Sequence, residues 1–287
     1  MSNRVIQQFE LDVFEISEVE DSHSSTVYKC TLSNGENVYL KIPFTKLKYQ
    51  RELEAYQILK GNVSIPELIN YWSGDDECPG AYLLSELKGK PLTSVAKPTT
   101  SFQVGVLHAK MHSIQPPSEQ VLSGIKNEFP NWSQFIDQQF YSFAEDAKEV
   151  MAVQLYQKAI EKFERMKQQL PSSDGPSFVH MDFRPANIIV DHDQVSGVID
   201  FESVRFGSTE VDFTKLYRDF LSYDSSLYRA FQRGYNSIRP LIDLELVLPF
   251  YRFTDAFNSI GWCKRRGKEE HALFLEENLM RLKKWLL

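Results

Sequence analysis

The sequence predicts an α+β protein with a small β-rich N-terminal lobe and a larger, mostly helical C-terminal lobe. β-prone runs fill the first third of the chain, and apolar residues at helical spacing dominate the rest. Strands first and helices later are typical of α+β architecture. The 287 residues are enough for two lobes, each with a real core. We place the boundary at a Gly/Pro stretch and expect lobes at 1–87 and 88–287.

A β-hairpin is the first clear element. The β-prone runs 27–32 and 37–42 flank the turn sequence Ser33-Asn34-Gly35-Glu36. Asn-Gly between such runs favours a tight hairpin, because both residues tolerate positive φ. Pro43 is expected to end the second strand.

A helix is expected after the hairpin, from about 46 to 60, with Gly61 at its C-terminus. The run 81–85 (Ala-Tyr-Leu-Leu-Ser) reads as another strand. It leads into 86–91, whose Gly89 and Pro91 indicate a connector between the lobes.

Helical spacing governs most of the C-terminal lobe. We expect a helix over 102–114 and one long amphipathic helix over 143–170, where apolar residues recur every three or four positions. The prolines of 171–176 should end that long helix. A further helix is expected over 213–222, with Asp212 as its N-cap.

Charge and cysteine content narrow the functional classes. The formal net charge is −7, which argues against a nucleic-acid partner, because such partners need clustered Lys and Arg. We see no secretory signal and no apolar run long enough to span a bilayer. Three scattered cysteines suggest neither disulfides nor a zinc site. We therefore expect a cytoplasmic protein without a membrane partner; the sequence leaves its oligomeric state open.

The segment 178–202 carries the chemical signal. It reads as a loop, a buried strand, a polar turn and a second strand that ends at an acid. The loop contributes Asp182 and Asn187, and the second strand leads to Asp200. These oxygen-bearing side chains should converge at one end of a short hairpin, which suits a hard cation such as Mg²⁺.

The pattern His-x-Asp-x-x-x-x-Asn over 180–187, followed by a short hairpin ending in Asp200, resembles the catalytic and metal-binding loops of the protein-kinase-like superfamily. The aminoglycoside phosphotransferase and choline kinase branch is the most similar. Met181 departs from the Gly that many members of that branch carry. The acid Glu202, two residues after the metal Asp, is typical of it. The resemblance implies a bilobal protein-kinase-like fold.

The resemblance also implies a nucleotide site in the N-terminal lobe. Lys41, at the end of the hairpin's second strand, would grip the α/β-phosphates, and Glu52 on the next helix would hold Lys41. Glu54 is the fallback partner, on another face of that helix.

Two further segments would contact ATP by the same resemblance. The stretch 21–26 stands where a glycine-rich phosphate loop is expected but contains no glycine. Ser24 and Ser25 are our candidate phosphate contacts there, although an ordinary polar turn accounts for this stretch equally well. Ser85 and Leu87 belong to the segment whose backbone would read the adenine edge.

The catalytic roles are implied by the resemblance as well. Asp182 would orient the substrate hydroxyl and accept its proton, and Asn187 and Asp200 would hold Mg²⁺ against the phosphates. Glu202 has two open interpretations: it helps through water or a second metal, or it caps a neighbouring backbone. His180 is expected to anchor the loop by hydrogen bonds.

We therefore predict a small-molecule kinase that uses ATP and Mg²⁺. The acceptor would be a hydroxyl group of an aminoglycoside-like antibiotic or another hydroxylated metabolite. Only 201–209 separates Asp200 from the next helical pattern, which leaves little room for a peptide-binding platform. A nucleotide-binding pseudokinase and an atypical protein kinase are the alternatives.

Overall fold

A five-stranded antiparallel sheet forms the N-terminal part of the computed structural model, which describes residues 2–19, 25–118 and 121–286. Its strands are Val13–Glu18 (β1), Ser25–Leu32 (β2), Asn37–Pro43 (β3), Leu68–Trp72 (β4) and Ala81–Ser85 (β5). They lie in the order β1-β2-β3-β5-β4. Helices Ser2–Gln8 (α1) and Lys46–Leu59 (α2) accompany the sheet.

The predicted hairpin is β2 and β3, with Val27 opposite Lys41. Gly35 has φ +86°, the left-handed conformation that the turn requires. The hydroxyl of Thr45 accepts the main-chain N–H of Lys48 and begins α2. The predicted strand 81–85 is β5. Elements α1, β1 and β4 were not expected from the sequence pattern.

The C-terminal part is mostly helical. Its helices are Pro98–His112 (α3), Trp132–Ala147 (α4), Val153–Lys167 (α5), Phe213–Leu216 (α6), Ser225–Asn236 (α7), Leu244–Arg266 (α8) and Ala272–Leu286 (α9). The short strands are Lys90–Pro91 (β6), Ser177–Val179 (β7), Ile188–Asp191 (β8), Gln194–Val198 (β9) and Arg205–Gly207 (β10). Strand β6 pairs with β8, and β7 pairs with β10.

The single helix expected over 143–170 is wrong. The chain leaves the helical path after α4 and re-enters it at α5, where Ala152 has an extended backbone with ψ 138°. The two helices fold back on each other, because the rings of Phe140 and Phe163 stack with centroids 3.7 Å apart. In one straight helix, residues this far apart in sequence would be separated by about 35 Å. The sequence pattern showed no sign of this break, because Ala147 just before it and Met151 within it are also apolar and buried.

The core runs through both lobes. Buried side chains of α2 and β5, such as Tyr56 and Tyr82, belong to the same apolar cluster as those of α3, α4, α7 and α8. A second cluster lies on the other face of the N-terminal sheet, around Leu40 and Leu83. No helix formed by the described residues is long and apolar enough to cross a membrane. The sheet and the helical part therefore share a packed interface, beside which the site lies.

Candidate active site

Lys41 is the centre of a buried ion-pair network. It lies in β3 and is only 5 % exposed. Its ammonium donates to Glu52 Oε1 at 2.8 Å and to Asp200 Oδ1 at 2.7 Å. The structure thus pairs Lys41 with Glu52 rather than with Glu54. The carboxylate of Glu54 instead accepts main-chain N–H groups from Ser123 to Ile125.

The charges of this network are set by burial and by the partners. Burial alone would lower the pKa of Lys41, but the carboxylates of Asp200 and Glu52 raise it well above its usual value. Burial likewise works to raise the pKa of Asp200, and the adjacent Lys41 lowers it instead. The fully buried Glu52 keeps a pKa raised to about 7, because the attraction of Lys41 offsets only part of the desolvation. Lys41 is therefore a fixed cation next to an ionised Asp200.

The loop after β7 carries Asp182. Asn187 donates its side-chain amide to the main-chain oxygen of Asp182 at 2.9 Å and to Asp182 Oδ2 at 3.3 Å. Two cations flank the same carboxylate. Lys215 Nζ contacts Asp182 Oδ1, and Arg184 Nε lies 3.2 Å from Asp182 Oδ2. The predicted convergence of Asp182 and Asn187 is present, and Lys41 brings Asp200 to the same cavity.

Asp212 fixes the backbone of this loop. The expectation that it caps the following helix is wrong, because its side chain makes no capping hydrogen bond. It instead accepts the main-chain N–H groups of His180 and Met181, both at 2.6 Å. Met181 has φ +67°, in the left-handed region where glycine is favoured. A glycine would adopt this conformation without strain. With methionine here, the main-chain hydrogen bonds to Asp212 hold the conformation instead.

The carboxylate of Asp212 also contacts a buried histidine, and a second histidine anchors the loop itself. His112 Nε2 lies 3.3 Å from Asp212 Oδ2, and His112 Nδ1 lies 2.8 Å from the hydroxyl of Tyr235. A proton on Nε2 lets His112 donate to Asp212 and accept from Tyr235. His180 itself is buried, with Nε2 3.0 Å from the main-chain oxygen of Ile199. His180 thus makes the anchoring hydrogen bond that the sequence predicted.

The oxygen donors around Asp200 fit a hard cation. The amide of Asn187 and the carboxylates of Asp182 and Asp200 line one cavity, and Mg²⁺ prefers such donors. Glu202 lies beside them, and its Oε1 pairs with Lys48 at 3.2 Å. Its Oε2 is buried with no hydrogen-bond partner among the described residues. Of the two interpretations of Glu202, this orphan oxygen favours help through water or a second metal.

The remaining predicted nucleotide contacts are distributed unevenly. Ser25, Ser85 and Leu87 line the cavity, whereas Ser24 lies outside the described residues. Ser85 already uses its N–H and its hydroxyl oxygen on the main chain of Glu67. The main-chain N–H of Ser85 is therefore already occupied, whereas Leu87 lies in the chain that follows it and lines the cavity.

The cavity extends well beyond these groups, to a volume of about 1030 Å³. Its far end lies between α4 and α8. The α4 residues that line it are Trp132, Phe135, Ile136, Gln139, Phe140 and Phe143. The α8 residues that line it are Tyr251, Thr254, Asp255, Asn258, Ser259 and Trp262. Both sets follow spacings of three and one, which place each set on one helical face. We call this end, together with Phe274 of α9, the α4–α8 chamber.

Sequence reasoning missed the residues that connect the chamber to Asp182. Lys215 contacts Asp182, and Arg218, three residues further on, contacts Asp255 of α8. Residues three apart share a helical face, so Lys215 and Arg218 were recognisable as neighbours. Their partners lie 33 and 37 residues away in sequence, respectively, and no local pattern connects them.

The comparisons with known proteins agree on one family and one fold. The model of the phosphotransferase enzyme family matches residues 15–248. The structure of the GDP and kanamycin complex of APH(2")-IIIa superposes with a TM-score of 0.79 at 14% identity, covering 99% of this chain and 97% of that one. The gentamicin complex of APH(2")-IIa gives 0.72 at 18% identity, covering 98% and 94%.

A macrolide phosphotransferase is about as similar as the gentamicin complex. The macrolide 2'-phosphotransferase MphH from Brachybacterium faecium superposes with a TM-score of 0.72 at 15% identity, covering 97% of this chain and 96% of that one. None of the curated proteins matches the chain significantly. At these identities the structural matches establish the predicted bilobal kinase-like fold, and the acceptor must be argued from this chain's own residues.

Proposed function

The chain belongs to the phosphotransferase enzyme family, and we propose that it transfers the γ-phosphate of Mg²⁺-ATP to a hydroxyl group of a small molecule. One observation carries the proposal. Lys41 pairs with both Glu52 and Asp200 in the same cavity that Asp182 and Asn187 line. A protein catalyses phosphoryl transfer mainly by positioning the reacting groups and neutralising the charge on the phosphates.

Each group has a distinct proposed role. Lys41, oriented by Glu52, would hold the α/β-phosphates, with Ser25 and Leu87 contacting the nucleotide from the 1–87 lobe. Asn187 and Asp200 would hold Mg²⁺, which supplies charge neutralisation at the phosphate oxygens when bound. From the 88–287 lobe, Asp182 would orient the acceptor hydroxyl and accept its proton.

Lys215 and Arg184 extend this assignment beyond the residues that the sequence pointed to. Both lie within ion-pair distance of Asp182. Cations at this point face the place where negative charge moves during transfer, and preorganised charge of this kind lowers the barrier. They also compete with the acceptor hydroxyl for the carboxylate of Asp182, so binding of the acceptor should displace one of these contacts.

The short connection after Asp200 supports a small acceptor over a protein. Arg205–Gly207 pairs with β7 in a two-stranded sheet, and a 3₁₀ turn over Thr209–Asp212 leads directly into α6. This stretch is held by β-pairing and by the anchor at Asp212. It therefore offers no extended platform for a peptide.

The nucleotide and the compartment are proposed in finer detail. GDP and AMP-PNP occur in structures with this fold, so GTP is to be tested beside ATP. The cysteines Cys30, Cys78 and Cys263 are buried and free, which supports a reducing compartment such as the cytoplasm.

The test is release of ADP or GDP from the Mg²⁺-nucleotide in the presence of hydroxylated acceptors. Asp182→Asn should lower turnover by about 10²-fold or more, because the group that takes the proton is lost, while nucleotide affinity changes little. Asp243→Asn is the matched control. Asp243 caps α8 by accepting the N–H of Glu245, and Asn caps helices as well as Asp does.

The outcomes separate the alternatives. Acceptor-stimulated turnover that disappears in Asp182→Asn and persists in Asp243→Asn supports the proposal. Full turnover in Asp182→Asn would exclude Asp182 as the group that accepts the proton. Nucleotide binding without turnover on any acceptor indicates a pseudokinase, and labelling of the protein itself by ATP indicates a protein kinase.

A further inference from the structure

The walls of the α4–α8 chamber are aromatic. The side chains concerned are Trp132, Phe135 and Phe143 of α4, Tyr251 and Trp262 of α8, and Phe274 of α9. Trp132 donates its indole N–H to the hydroxyl of Tyr251 at 3.1 Å, which satisfies the one polar group of the indole. Trp262 and Phe274 meet edge to face. The rings therefore offer mainly apolar surface to a ligand.

The carboxylates of the cavity are largely committed to cations. Among the described residues of the α4–α8 chamber, Asp255 is the one carboxylate, and it is paired with Arg218. Burial acts to lower the pKa of Arg218, yet Asp255 and Asp219 raise it above its usual value. Arg218 is thus a permanent counter-ion of Asp255.

The carboxylates at the other end of the cavity, around Lys41, are also paired with cations. Asp182 has Lys215 and Arg184, and Asp200 has Lys41. Any acceptor hydroxyl displaces one contact of Asp182, but a ligand with several ammonium groups would also have to break further pairs such as Arg218–Asp255, or leave its own charges desolvated. Either costs free energy.

Uncharged polar groups complete the chamber. Gln139, Thr254 and Asn258 are spread among the rings. Asn258 Oδ1 is buried and has no hydrogen-bond partner within the described part of the chain. A pocket with mostly aromatic walls and a few convergent neutral polar groups is suited to an apolar ligand that carries a small number of hydroxyl groups.

Building on the proposed phosphotransfer, we infer that the acceptor is a large, mainly apolar alcohol with at most one ammonium group, and not a polyamine sugar. The acceptor packs its carbon skeleton on Trp262, Phe274 and Phe143. It presents one hydroxyl to Asp182 and donates a second hydrogen bond to Asn258 Oδ1.

The experiment compares erythromycin, an apolar macrolide with one amine, with kanamycin, a polyamine sugar. Both are assayed for ADP and GDP release and for binding to the nucleotide-loaded enzyme by calorimetry. Erythromycin should be preferred by about tenfold or more in kcat/KM, since burying even one large apolar group contributes that much.

Phe274→Ala tests the aromatic wall. This variant should raise KM for erythromycin by about tenfold with a smaller change in kcat. Leu273→Ala is its matched control on the same helix, because Leu273 is 80 % exposed and does not line the cavity. It should leave KM unchanged.

Asn258→Asp tests the charge argument in the opposite direction. It adds a carboxylate of nearly the same shape, so it should improve kcat/KM for kanamycin by about tenfold, as a charged hydrogen bond replaces a neutral one. Unchanged nucleotide affinity in each variant shows that the fold is kept.

The outcomes distinguish this inference from the proposed function. Preference for kanamycin in the wild type, or equal KM in Phe274→Ala and Leu273→Ala, overturns the inference and leaves phosphotransfer standing. Failure of erythromycin to bind the nucleotide-loaded enzyme also overturns it. Absence of Asp182-dependent turnover on every acceptor, with erythromycin still bound in a manner sensitive to Phe274, overturns the proposed function alone.

Discussion

Asp212→Asn is the most informative single substitution, because it removes the anchor of the Asp182 loop without touching the reacting groups. The carboxylate of Asp212 is 2 % exposed and accepts two main-chain N–H groups at 2.6 Å. Burial works to raise its pKa, but His108 and His112 hold it far below the usual value. Asp212 is therefore an ionised group whose two oxygens are both in use.

The magnitude is set by those bonds. An amide keeps one acceptor oxygen and turns an NH₂ donor toward the other main-chain N–H. Hydrogen bonds to charged groups contribute about 1.5–3 kcal/mol each, and an unsatisfied buried donor costs a further 1–3 kcal/mol. We expect a loss of roughly 3–5 kcal/mol in the free energy of unfolding, a large share of the stability of a typical domain. The melting temperature should fall by about 6–12 °C.

Turnover should also fall, because Met181 with φ +67° precedes Asp182 directly. Without the anchor, the loop relaxes from this left-handed conformation and Asp182 shifts. The expected pattern is a drop in kcat of tenfold or more with nucleotide affinity nearly unchanged, measured by ADP release alongside calorimetric melting.

Asp224→Asn is the matched control for this substitution. Asp224 caps α7 by accepting the N–H of Ser226 at 2.6 Å, a role that Asn fills equally well. Its melting temperature and kcat should stay at the wild-type values. The anchoring role would be refuted if Asp212→Asn had the same melting temperature as Asp224→Asn and turned over at the wild-type rate.

Two further perturbations test the helical core behind this loop. Burial lowers the pKa of His108 to about 3 and also lowers that of His112. Unfolding then takes up protons below about pH 6.5, and urea titrations should show the unfolding free energy dropping by up to about 1.4 kcal/mol per histidine per pH unit as the pH falls from 6.5 toward 5; a flat profile would contradict buried neutral histidines. Gly105→Ala should lower the free energy of unfolding by about 2–4 kcal/mol. A Cβ there would lie 2.3 Å from the main-chain oxygen of Phe231 and 2.8 Å from the main-chain N of Tyr235. An unchanged melting curve would contradict this close packing of α3 against α7.

The N-terminal half of the site was predictable because its signals are local. An Asn-Gly turn sets the hairpin register, the register places Lys41 within β3, and the helix that comes a few residues later brings Glu52 to it. Glu54 was a reasonable alternative at the level of sequence. Only its three main-chain partners at 123–125, distant along the chain, show that it serves to hold a loop.

The residues of the loop around Asp182 were predictable from the sequence, but the conformation of that loop was not. The spacing of Asp182, Asn187 and Asp200 indicated their convergence. The φ values of +67° at Met181 and +73° at Asp200 left no trace in residue type, since neither is glycine. Such conformations persist only where surrounding contacts determine them. At Met181 that contact is Asp212, which local pattern had assigned to a helix cap.

The α4–α8 chamber was the least accessible to prediction, because it forms where two helical faces more than 100 residues apart in sequence meet. Apolar periodicity shows that a helix has a face to bury, but it does not say whether that face meets another helix or a ligand. In α4 the same period that placed Phe140 against Phe163 also placed Phe143 toward the cavity. The sequence pattern predicted a single helix over 143–170, so the packing of α4 against α8 was not predicted. The residues that line the α4–α8 chamber are therefore those about which the sequence is least informative, whereas Asp182, Asn187 and Asp200 are recognisable from their spacing in the chain.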